Sequence, residues 1–351
     1  MALKAENLQR TGSFKLRGAS NAIAKLPPGR IACGIVAASA GNHAQAVARA
    51  AANAGAKATL CMPADAPLAK LEAVRALGVE LRLVEGGYEA AQEAARALAA
   101  SEGHTLIHAF ADPDVIAGQG TVGLEIADAA PETRLIAVPM GGGGLASGLA
   151  IAAKARLEGA KVIAVQATAR AGRTIADGIA VKQPAELNRR LVEEHVDDVV
   201  TVSDDEIAQA MVHLIERTKL VVEGAGAAAA AALMCGRLEA PSRGSICVVL
   251  SGGNVDASLL AECIRLGETA SGRRAVLKTI LPDRPGALDS LLRVVADHGA
   301  NIVDVAHLRE GVDLHVRETL IRLVLQTKGR EHGLQVAEAL RDAGFDVDIE
   351  H

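Results

Sequence analysis

Short apolar runs alternate with alanine-rich amphipathic stretches between residues 31 and 253. The runs are apolar at consecutive positions, as expected of strands that are covered on both faces of a sheet. They lie at residues 33–39, 57–63, 105–110, 134–140, 161–166 and 245–253. The stretches between them, such as 43–55 and 88–103, have the length and composition of helices. This alternation predicts an α/β domain with mostly parallel strands, whose ligands bind at the carboxyl ends of the strands.

A different pattern follows the polar, glycine-containing segment 267–274, which we interpret as a linker. Beyond it, two helices with apolar residues at i, i+3, i+4 and i+7 are flanked by four short strands. In the first helix these positions are Leu288, Leu291, Leu292 and Val295. The order β-α-β-β-α-β over residues 275–351 is that of a ferredoxin-like domain.

The composition of the chain limits the kinds of molecule that it is expected to bind. The chain has no Trp, one Tyr and three Phe, and its formal net charge is -5. It therefore lacks both the basic surface and the aromatic platforms that nucleic-acid binding normally uses. The five cysteines show no paired spacing, which is typical of a reducing compartment. No apolar stretch is long enough to cross a bilayer and no signal sequence is evident, so we predict a cytoplasmic protein with neither nucleic-acid nor membrane partners.

Four segments place small, polar or basic residues where predicted strands end or helices begin. They are TGSFKLRGA (11–19), SAGNHAQA (39–46), PMGGGGLASG (139–148) and LSGGNVD (250–256). In the third, the backbone N–H groups of four successive glycines and the start of the next helix can surround an anion. The second can hold a smaller anion, such as a carboxylate, through Ser39, Gly41 and Asn42. The first offers Lys15, an amine able to bond covalently to a carbonyl group.

Each segment can also be explained by a purely structural role, with no part in catalysis or binding. Lys15 alone is typical of a solvated surface charge, and a glycine run is typical of a flexible turn. Asn42 alone is typical of a helix N-cap, His43 of a solvent-facing residue in a first helical turn, and Ser251 of an ordinary strand end. The combination favours chemistry, because a lysine, a phosphate site, a carboxylate site and a further polar strand end are what a pyridoxal-phosphate enzyme acting on an amino acid requires.

Together these motifs resemble the fold-type II pyridoxal-phosphate enzymes, and most closely the threonine dehydratases, also called threonine ammonia-lyases. The resemblance includes ADPDVIAGQGTVGLEI, TIADGIAV, DDVVTVSDDEI and ERTKLVVEGAGA, in the family's order. The residues after the linker resemble an ACT domain, most clearly in LPDRPGALDSLL. The resemblance implies a catalytic domain at residues 1–266, made of two open parallel-sheet α/β subdomains with the smaller at about 32–112. It also implies an ACT regulatory domain at residues 275–351.

The family pattern implies a role for each matching residue. Lys15 corresponds to the Schiff-base lysine, which also removes the α-proton, and Ser39, Gly41 and His43 lie in the segment that holds the substrate carboxylate. The residues at cofactor-binding positions are Phe14 beside the ring, Asn42 at the phenolic oxygen, Gly141, Gly142, Gly143 and Gly144 at the phosphate, Ser251 at the pyridine nitrogen and Glu223 near the cofactor. For Glu223, a structural role before a helix start fits equally well.

The implied activity is β-elimination of L-threonine to 2-oxobutanoate and ammonia, and of L-serine to pyruvate. The ACT domain implies an amino-acid effector, with DRPG (283–286) as a candidate effector loop, and a homodimer or homotetramer. Several relatives bind a divalent cation through acidic residues after the strand that corresponds to 161–166. Here residues 166–172 contain no acidic side chain, so we predict no metal there.

Three other functions stay open. A serine racemase of this family carries a second serine at the position of Ala40, as a proton donor from the opposite face. Alanine has no transferable proton, so dehydration is favoured over racemisation. The second function is that of a catalytically idle chain that binds amino acids for regulation, because a family segment expected before LKAEN is not found here. The third is a cysteine-synthase-like β-replacement enzyme.

Overall fold

The computed structural model describes residues 1–66, 68–169, 174–180, 184–309 and 314–350. It divides into two compact units, residues 1–256 and 257–351. Part of the 166–172 segment, where we predict no metal, and the last residue of TIADGIAV lie outside the described residues. No helix in the described part of the chain is both long enough and apolar enough to span a membrane.

The first unit contains nine described strands and ten described helices. The strands are β1 (Ala2–Ala5), β2 (Ile35–Ala38), β3 (Ala58–Pro63), β4 (Glu80–Val84), β5 (Thr105–Leu106), β6 (Thr133–Pro139), β7 (Lys161–Ala167), β8 (Asp198–Val202) and β9 (Ser245–Leu250). The helices are α1 (Lys15–Ala24), α2 (Pro28–Ala32), α3 (Asn42–Asn53), α4 (Leu68–Arg75), α5 (Tyr88–Glu102), α6 (Pro113–Ala129), α7 (Gly144–Lys154), α8 (Glu186–His195), α9 (Asp204–Thr218) and α10 (Gly224–Met234). Short 3₁₀ helices lie at Glu6–Leu8 and Asp177–Ile179.

These strands form two parallel sheets. The larger has the order β1-β9-β6-β7-β8 and the smaller the order β4-β3-β2-β5. All four residues of β2 and all six of β3 are buried, which is why those segments are apolar at consecutive positions. The apolar run at 105–110, predicted as one strand, is a strand only at Thr105–Leu106. From His108 onward the backbone turns away, because its amides bond to a side chain instead of a neighbouring strand.

Glycines bring helix α6 close to α1 and α7. A Cβ atom at Gly118 would lie 2.6 Å from the carbonyl oxygen of Arg17, and one at Gly148 would lie 2.3 Å from the carbonyl oxygen of Ile116. Real Cβ atoms do not approach backbone so closely, so only glycine permits this helix packing. The packing fixes α1, and Lys15 is the first residue of that helix.

The second unit is a helix followed by a sandwich of helices and an antiparallel sheet. Its elements are α11 (Ala257–Ala270), β10 (Arg274–Pro282), α12 (Ala287–Asp297), β11 (Asn301–Leu308), β12 (Glu318–Gln326), α13 (Arg330–Asp342) and β13 (Val347–Glu350). The sheet order is β11-β12-β10-β13. Leu291 of α12 and Leu340 of α13 are fully buried in one apolar core with Leu277, Ile321 and Leu325 of the sheet. The predicted ferredoxin-like βαββαβ fold is confirmed.

The segment 267–274 contains more regular structure than a linker would. Helix α11 continues to Ala270, and β10 begins at Arg274. Cys263 in the same helix is buried, with 2% of its surface exposed. The polar residues from 267 onward suit the exposed end of a helix as well as they suit a linker, and composition alone does not separate the two.

Candidate functional site

The carboxyl ends of strands from both parallel sheets border one cavity of about 760 Å³ in the first unit. All twelve residues that the sequence marks as site candidates line it. They are Phe14, Lys15, Ser39, Gly41, Asn42, His43, Gly141, Gly142, Gly143, Gly144, Glu223 and Ser251. Ala40 lines it as well. Segments up to 237 residues apart in the sequence are thus brought to one place, as the strand-end rule for open α/β sheets predicts.

Lys15 projects its amine into this cavity. Nζ donates a hydrogen bond of 2.9 Å to the carbonyl oxygen of Ala109 and lies 5.2 Å from the centre of the Phe14 ring. Burial lowers the pKa of Lys15 from 10.5 to about 8, against the opposing attraction of the Glu223 carboxylate. About one amine in ten is then neutral at pH 7, roughly 300 times the fraction of an ordinary lysine. The interpretation of Lys15 as a solvated surface charge is therefore wrong.

The four glycines form a loop whose walls leave no room for side chains. A Cβ atom would lie 2.7 Å from the backbone of Ile179 at Gly141 and 2.5 Å from the ring of Phe110 at Gly142. Gly143 has φ of +84° and caps the start of α7. Within the described part of the chain, the amides of Gly141, Gly142 and Gly143 donate to no other backbone group. Unpaired amides at a helix start are the donors that an anion needs.

Asn42 belongs to a network of polar side chains from three segments that are far apart in the sequence: the start of α3, the start of α10 and the loop after β9. Its Nδ2 donates to Oε1 of Glu223 over 2.7 Å, and its Oδ1 accepts from Nδ2 of Asn254 over 2.7 Å. Asn254 also donates to the carbonyl oxygen of Thr11. Gly41, rather than Asn42, is the N-cap of α3, so the simple capping interpretation of Asn42 is wrong. The network fixes the Asn42 amide at the cavity wall.

Ser39, Gly41 and His43 form the wall at the start of α3. Ser39 Oγ accepts a hydrogen bond from the amide of Gly41 over 3.1 Å. His43 is 3% exposed, and its Nε2 donates to the carbonyl oxygen of Ile107 over 2.9 Å. Burial, then the nearby Lys15 cation, lowers the pKa of His43 to about 3. His43 is thus a neutral, buried imidazole and not the solvent-facing residue of the alternative interpretation.

The end of β9 positions the start of α1. The carbonyl oxygen of Ser251 accepts a hydrogen bond from the amide of Phe14 over 3.0 Å, and Ser13 pairs with Gly252 in an isolated bridge. Ser251 is 3% exposed and borders the cavity. The two chain segments therefore hold Lys15 and Ser251 at fixed places on the same wall.

One wall of the cavity contains no residue that was predicted from the sequence. It is formed by the start of α5 and the loop after β5, with Tyr88, Glu89, Gln92, Ala109 and Phe110. The signal available in the sequence was the polar and aromatic end of the run TLIHAF, since a strand end in this fold faces the ligand edge. No group of three or more His, Cys, Asp or Glu side chains arranged for a metal occurs among the described residues.

Known proteins resemble the chain over most of its length. Residues 1–252 match the family described as pyridoxal-phosphate dependent enzyme, and residues 275–342 match the ACT domain. An L-threonine ammonia-lyase of Thermotoga maritima is 43% identical over 99% of this chain and 90% of its own length.

Solved structures of related enzymes also resemble the chain. The processed form of threonine deaminase isoform 2 from Solanum lycopersicum has a TM-score of 0.70 and 34% identity, with 75% of this chain and 82% of that chain covered. Serine racemase from maize has a TM-score of 0.69 and 35% identity, with coverages of 75% and 86%. The resemblance inferred from the sequence motifs is confirmed. The chain belongs to the pyridoxal-phosphate dependent enzyme family and carries an ACT domain at residues 275–342.

Proposed function

We propose that the chain is a threonine ammonia-lyase, which eliminates the β-hydroxyl of L-threonine to give 2-oxobutanoate and ammonia, and converts L-serine to pyruvate in the same way. The relative from Thermotoga maritima is named for this reaction, and the tomato neighbour is named a threonine deaminase. The observation that carries the proposal is the half-buried side chain of Lys15, with a pKa of about 8, in one cavity with the four-glycine loop.

The residues present fit pyridoxal phosphate. The cofactor needs an amine for its aldehyde and a set of hydrogen-bond donors for its phosphate. Lys15 offers the amine, and Gly141, Gly142 and Gly143 offer amides without backbone partners in the described part of the chain. The loop admits only glycine because Ile179 and Phe110 occupy the space of any side chain. When bound, pyridoxal phosphate supplies an electron sink for negative charge at the substrate α-carbon.

We assign the holding residues from the family resemblance, residue by residue. Lys15 would hold the aldehyde covalently, and the loop of Gly141, Gly142, Gly143 and Gly144 would hold the phosphate. Asn42 would donate to the phenolic oxygen and Ser251 would face the pyridine nitrogen, with Phe14 beside the ring. A serine hydroxyl cannot enforce a protonated pyridine as a carboxylate would, which favours prompt elimination over transamination.

Lys15 also has the properties of a general base. Its Nζ is neutral in a useful fraction near pH 7, so it can accept the α-proton of the substrate when the amine is free. Glu223 is close enough to Nζ to raise the pKa of Lys15, against the larger lowering by burial. We propose that this carboxylate keeps the amine basic enough to hold the proton that it removes.

Ser39, Gly41 and His43 are proposed to hold the substrate carboxylate. Ser39 Oγ and the backbone at the start of α3 supply short polar groups beside the positive end of a twelve-residue helix. His43 is neutral, so it contributes shape and a fixed backbone rather than charge. A single carboxylate in this wall orients the α-carbon toward Lys15.

Racemisation is the competing reaction, since a serine racemase has a similar structure. A racemase must deliver a proton to the face of the α-carbon opposite its lysine. Ala40, at the wall formed by the start of α3, has no proton to deliver. We therefore expect 2-oxo acid and no D-serine from L-serine.

We further propose an amino-acid effector at the ACT domain and a homodimer or homotetramer. The sheet of this domain ends in edge strands β11 and β13, and apolar side chains are exposed on it at Ile280 (47%) and Val303 (59%). Sedimentation of the full chain, with and without candidate amino acids, tests both statements. A monomer at every concentration contradicts the oligomer.

The decisive experiment incubates the purified chain with pyridoxal phosphate and L-threonine, and follows 2-oxo acid and ammonia. We expect turnover in the unsubstituted chain and in Lys25→Ala, a control at the exposed end of α1. We expect neither turnover nor the absorption band of lysine-bound cofactor in Lys15→Ala. A chain that binds no cofactor supports the idle alternative, and turnover only with added sulfide supports β-replacement.

A further inference from the structure

The loop after β5 is held by one imidazole that the proposed chemistry does not use. The amides of Phe110 and Ala111 both donate to Nδ1 of His108, over 3.2 Å and 2.9 Å. A ring nitrogen that accepts two hydrogen bonds carries no proton. His108 therefore has its proton on Nε2, in the neutral form.

The second ring nitrogen has a matching partner. The side-chain nitrogen of Gln92, in α5, lies 2.8 Å from Nε2 of His108. Because Nδ1 carries no proton, Nε2 carries the ring proton, so we assign the Gln92 amide in the flipped orientation, in which its oxygen accepts that proton. Burial, then the cations of Arg96 and Lys15, lowers the pKa of His108, against a smaller opposite effect of Asp112. The ring also packs edge-on against Phe110, with centres 4.8 Å apart.

The loop that His108 holds contacts both halves of the candidate site. The carbonyl oxygen of Ala109 accepts the hydrogen bond from Lys15 Nζ. The Phe110 ring fills the place of a side chain at Gly142, and the Phe110 carbonyl oxygen accepts from Nδ2 of Asn188 over 2.8 Å. A shift of this loop would thus move the acceptor of the lysine and the support of the glycine loop together.

We propose that His108, oriented by Gln92, is a positioning residue that fixes the Ala109 carbonyl and the Phe110 ring, and so aligns the Lys15 amine with the glycine loop. The proposal rests on the proposed function for its kinetic consequence. Its structural basis is a neutral imidazole, protonated on Nε2, whose Nδ1 accepts hydrogen bonds from two backbone amides.

Three variants test whether the hydrogen-bond acceptor of His108 is what aligns the Lys15 amine with the glycine loop. In asparagine, Oδ1 is attached to Cγ as Nδ1 is in histidine, so His108→Asn keeps an acceptor for both amides while it loses the Gln92 contact and the ring packing against Phe110. His108→Ala removes the acceptor altogether. His213→Ala changes an exposed histidine of α9 and serves as the control.

We expect His108→Ala to lower kcat by roughly tenfold to a hundredfold with little change in KM, because misalignment weakens the chemical step more than binding. His108→Asn should recover kcat to within about threefold of the unsubstituted chain.

Cofactor binding gives a readout that does not depend on turnover. The chain has one tyrosine and no tryptophan, and that tyrosine, Tyr88, lines the cavity. Quenching of its fluorescence by pyridoxal phosphate therefore yields a Kd. We expect weaker binding in His108→Ala and near-normal binding in His108→Asn.

Ring-nitrogen NMR of the cofactor-free, unsubstituted chain tests the geometry even where a variant fails to fold. A His108 signal with Nδ1 unprotonated and Nε2 protonated is expected, and the opposite tautomer overturns the proposal. So do unchanged kcat and Kd in a folded His108→Ala, or equal impairment of the alanine and asparagine variants. Absence of turnover in the unsubstituted chain contradicts the proposed function instead, and is thereby distinguished from a failure confined to the His108 variants.

Discussion

Lys15 Nζ and the carbonyl oxygen of Ala109 are joined by a 2.9 Å hydrogen bond across 94 residues of sequence. The bond connects the first residue of α1 to the loop after β5. A protonated or neutral amine can donate it, so the bond directs Nζ without fixing its charge. What sets the charge is burial, opposed by the Glu223 carboxylate.

The first prediction concerns the pH at which Lys15 becomes reactive. Only the neutral amine attacks an aldehyde, so the rate at which the cofactor-free chain binds pyridoxal phosphate covalently should rise with pH and level off above about 8. An ordinary lysine would keep rising toward its pKa of about 10.4. Stopped-flow absorption across pH 6 to 10.5 measures the midpoint. A midpoint near the ordinary value means that the amine is solvated.

Glu223 provides a directional test of the same electrostatics. Its carboxylate raises the pKa of Lys15, so Glu223→Gln should move the midpoint of the pH profile to lower pH. Glu89→Gln, at an exposed position on another wall of the cavity, serves as the control and should leave the midpoint in place. The same stopped-flow series measures both variants. A shift to higher pH in Glu223→Gln would contradict the assignment.

The second prediction concerns the glycine loop. In Gly142→Ala, the new Cβ would lie 2.5 Å from Cγ of Phe110, so the loop or the ring must move. We expect the Kd for pyridoxal phosphate to rise at least tenfold, which corresponds to about 1.4 kcal/mol. Gly29→Ala is the matched control, since nothing lies within 4 Å of its Cβ position and its φ is not positive. The double variant Gly142→Ala/Phe110→Leu should regain part of the affinity. Tyr88 fluorescence supplies the Kd in each case.

The part of this site that could be predicted from the sequence is the part that lies at strand ends and helix starts. Lys15, Gly141 and Ser251 each follow a strand or begin a helix whose period is visible in the sequence, and the strand-end rule brings such positions together. The ferredoxin-like domain was predictable for a similar reason, because its two amphipathic helices carry their apolar residues at regular spacing.

The bonds between those positions could not be predicted. Asn42 and Glu223 are 181 residues apart, and their 2.7 Å contact depends on the complete fold, which brings the starts of α3 and α10 together. The role of His108 was hidden for another reason. Its run looks like a buried strand, and nothing in the sequence shows that the backbone leaves the sheet after Leu106.

The third prediction concerns a buried ion pair two residues beyond Lys15. Arg17 forms two hydrogen bonds with the carboxylate of Glu6, of 2.7 Å and 2.8 Å, and the Glu6 side chain is 1% exposed. Although burial lowers the pKa of Arg17, its bonds with Glu6 and Glu125 raise it overall. Arg17→Met leaves the buried Glu6 carboxylate with the Lys4 amine and the Gln9 side-chain amide as partners, and should lower the free energy of unfolding by about 3 kcal/mol.

Glu125 is the control for that prediction, because it binds the same guanidinium from the surface, with 49% of its side chain exposed. Glu125→Gln should cost less than about 1 kcal/mol, since exposed ion pairs contribute little. Replacing both buried partners, as Glu6→Gln/Arg17→Met, should cost less than Arg17→Met alone, because no buried charge remains. Urea denaturation of the cofactor-free chain measures all three. Equal losses for Arg17→Met and Glu125→Gln would show that burial of Glu6 does not matter.

The fourth prediction follows from the buried, neutral His43. Its pKa is about 3 in the folded chain, lowered by burial and by Lys15, against an ordinary value near 6.5. Between these values the unfolded chain binds the proton and the folded chain does not, so acid favours unfolding. Stability that is complete above pH 6.5 should fall by about 1.4 kcal/mol per pH unit as the pH drops toward 3. In His43→Gln this part of the slope is absent, so the difference between the two chains gives the contribution of His43 without that of the carboxylates.

Urea denaturation of both cofactor-free chains at pH 7, 6, 5 and 4 gives the slopes. Parallel slopes would mean that His43 binds its proton as readily in the folded chain as in the unfolded one, and the wall at the start of α3 would then carry a positive charge below about pH 6.5.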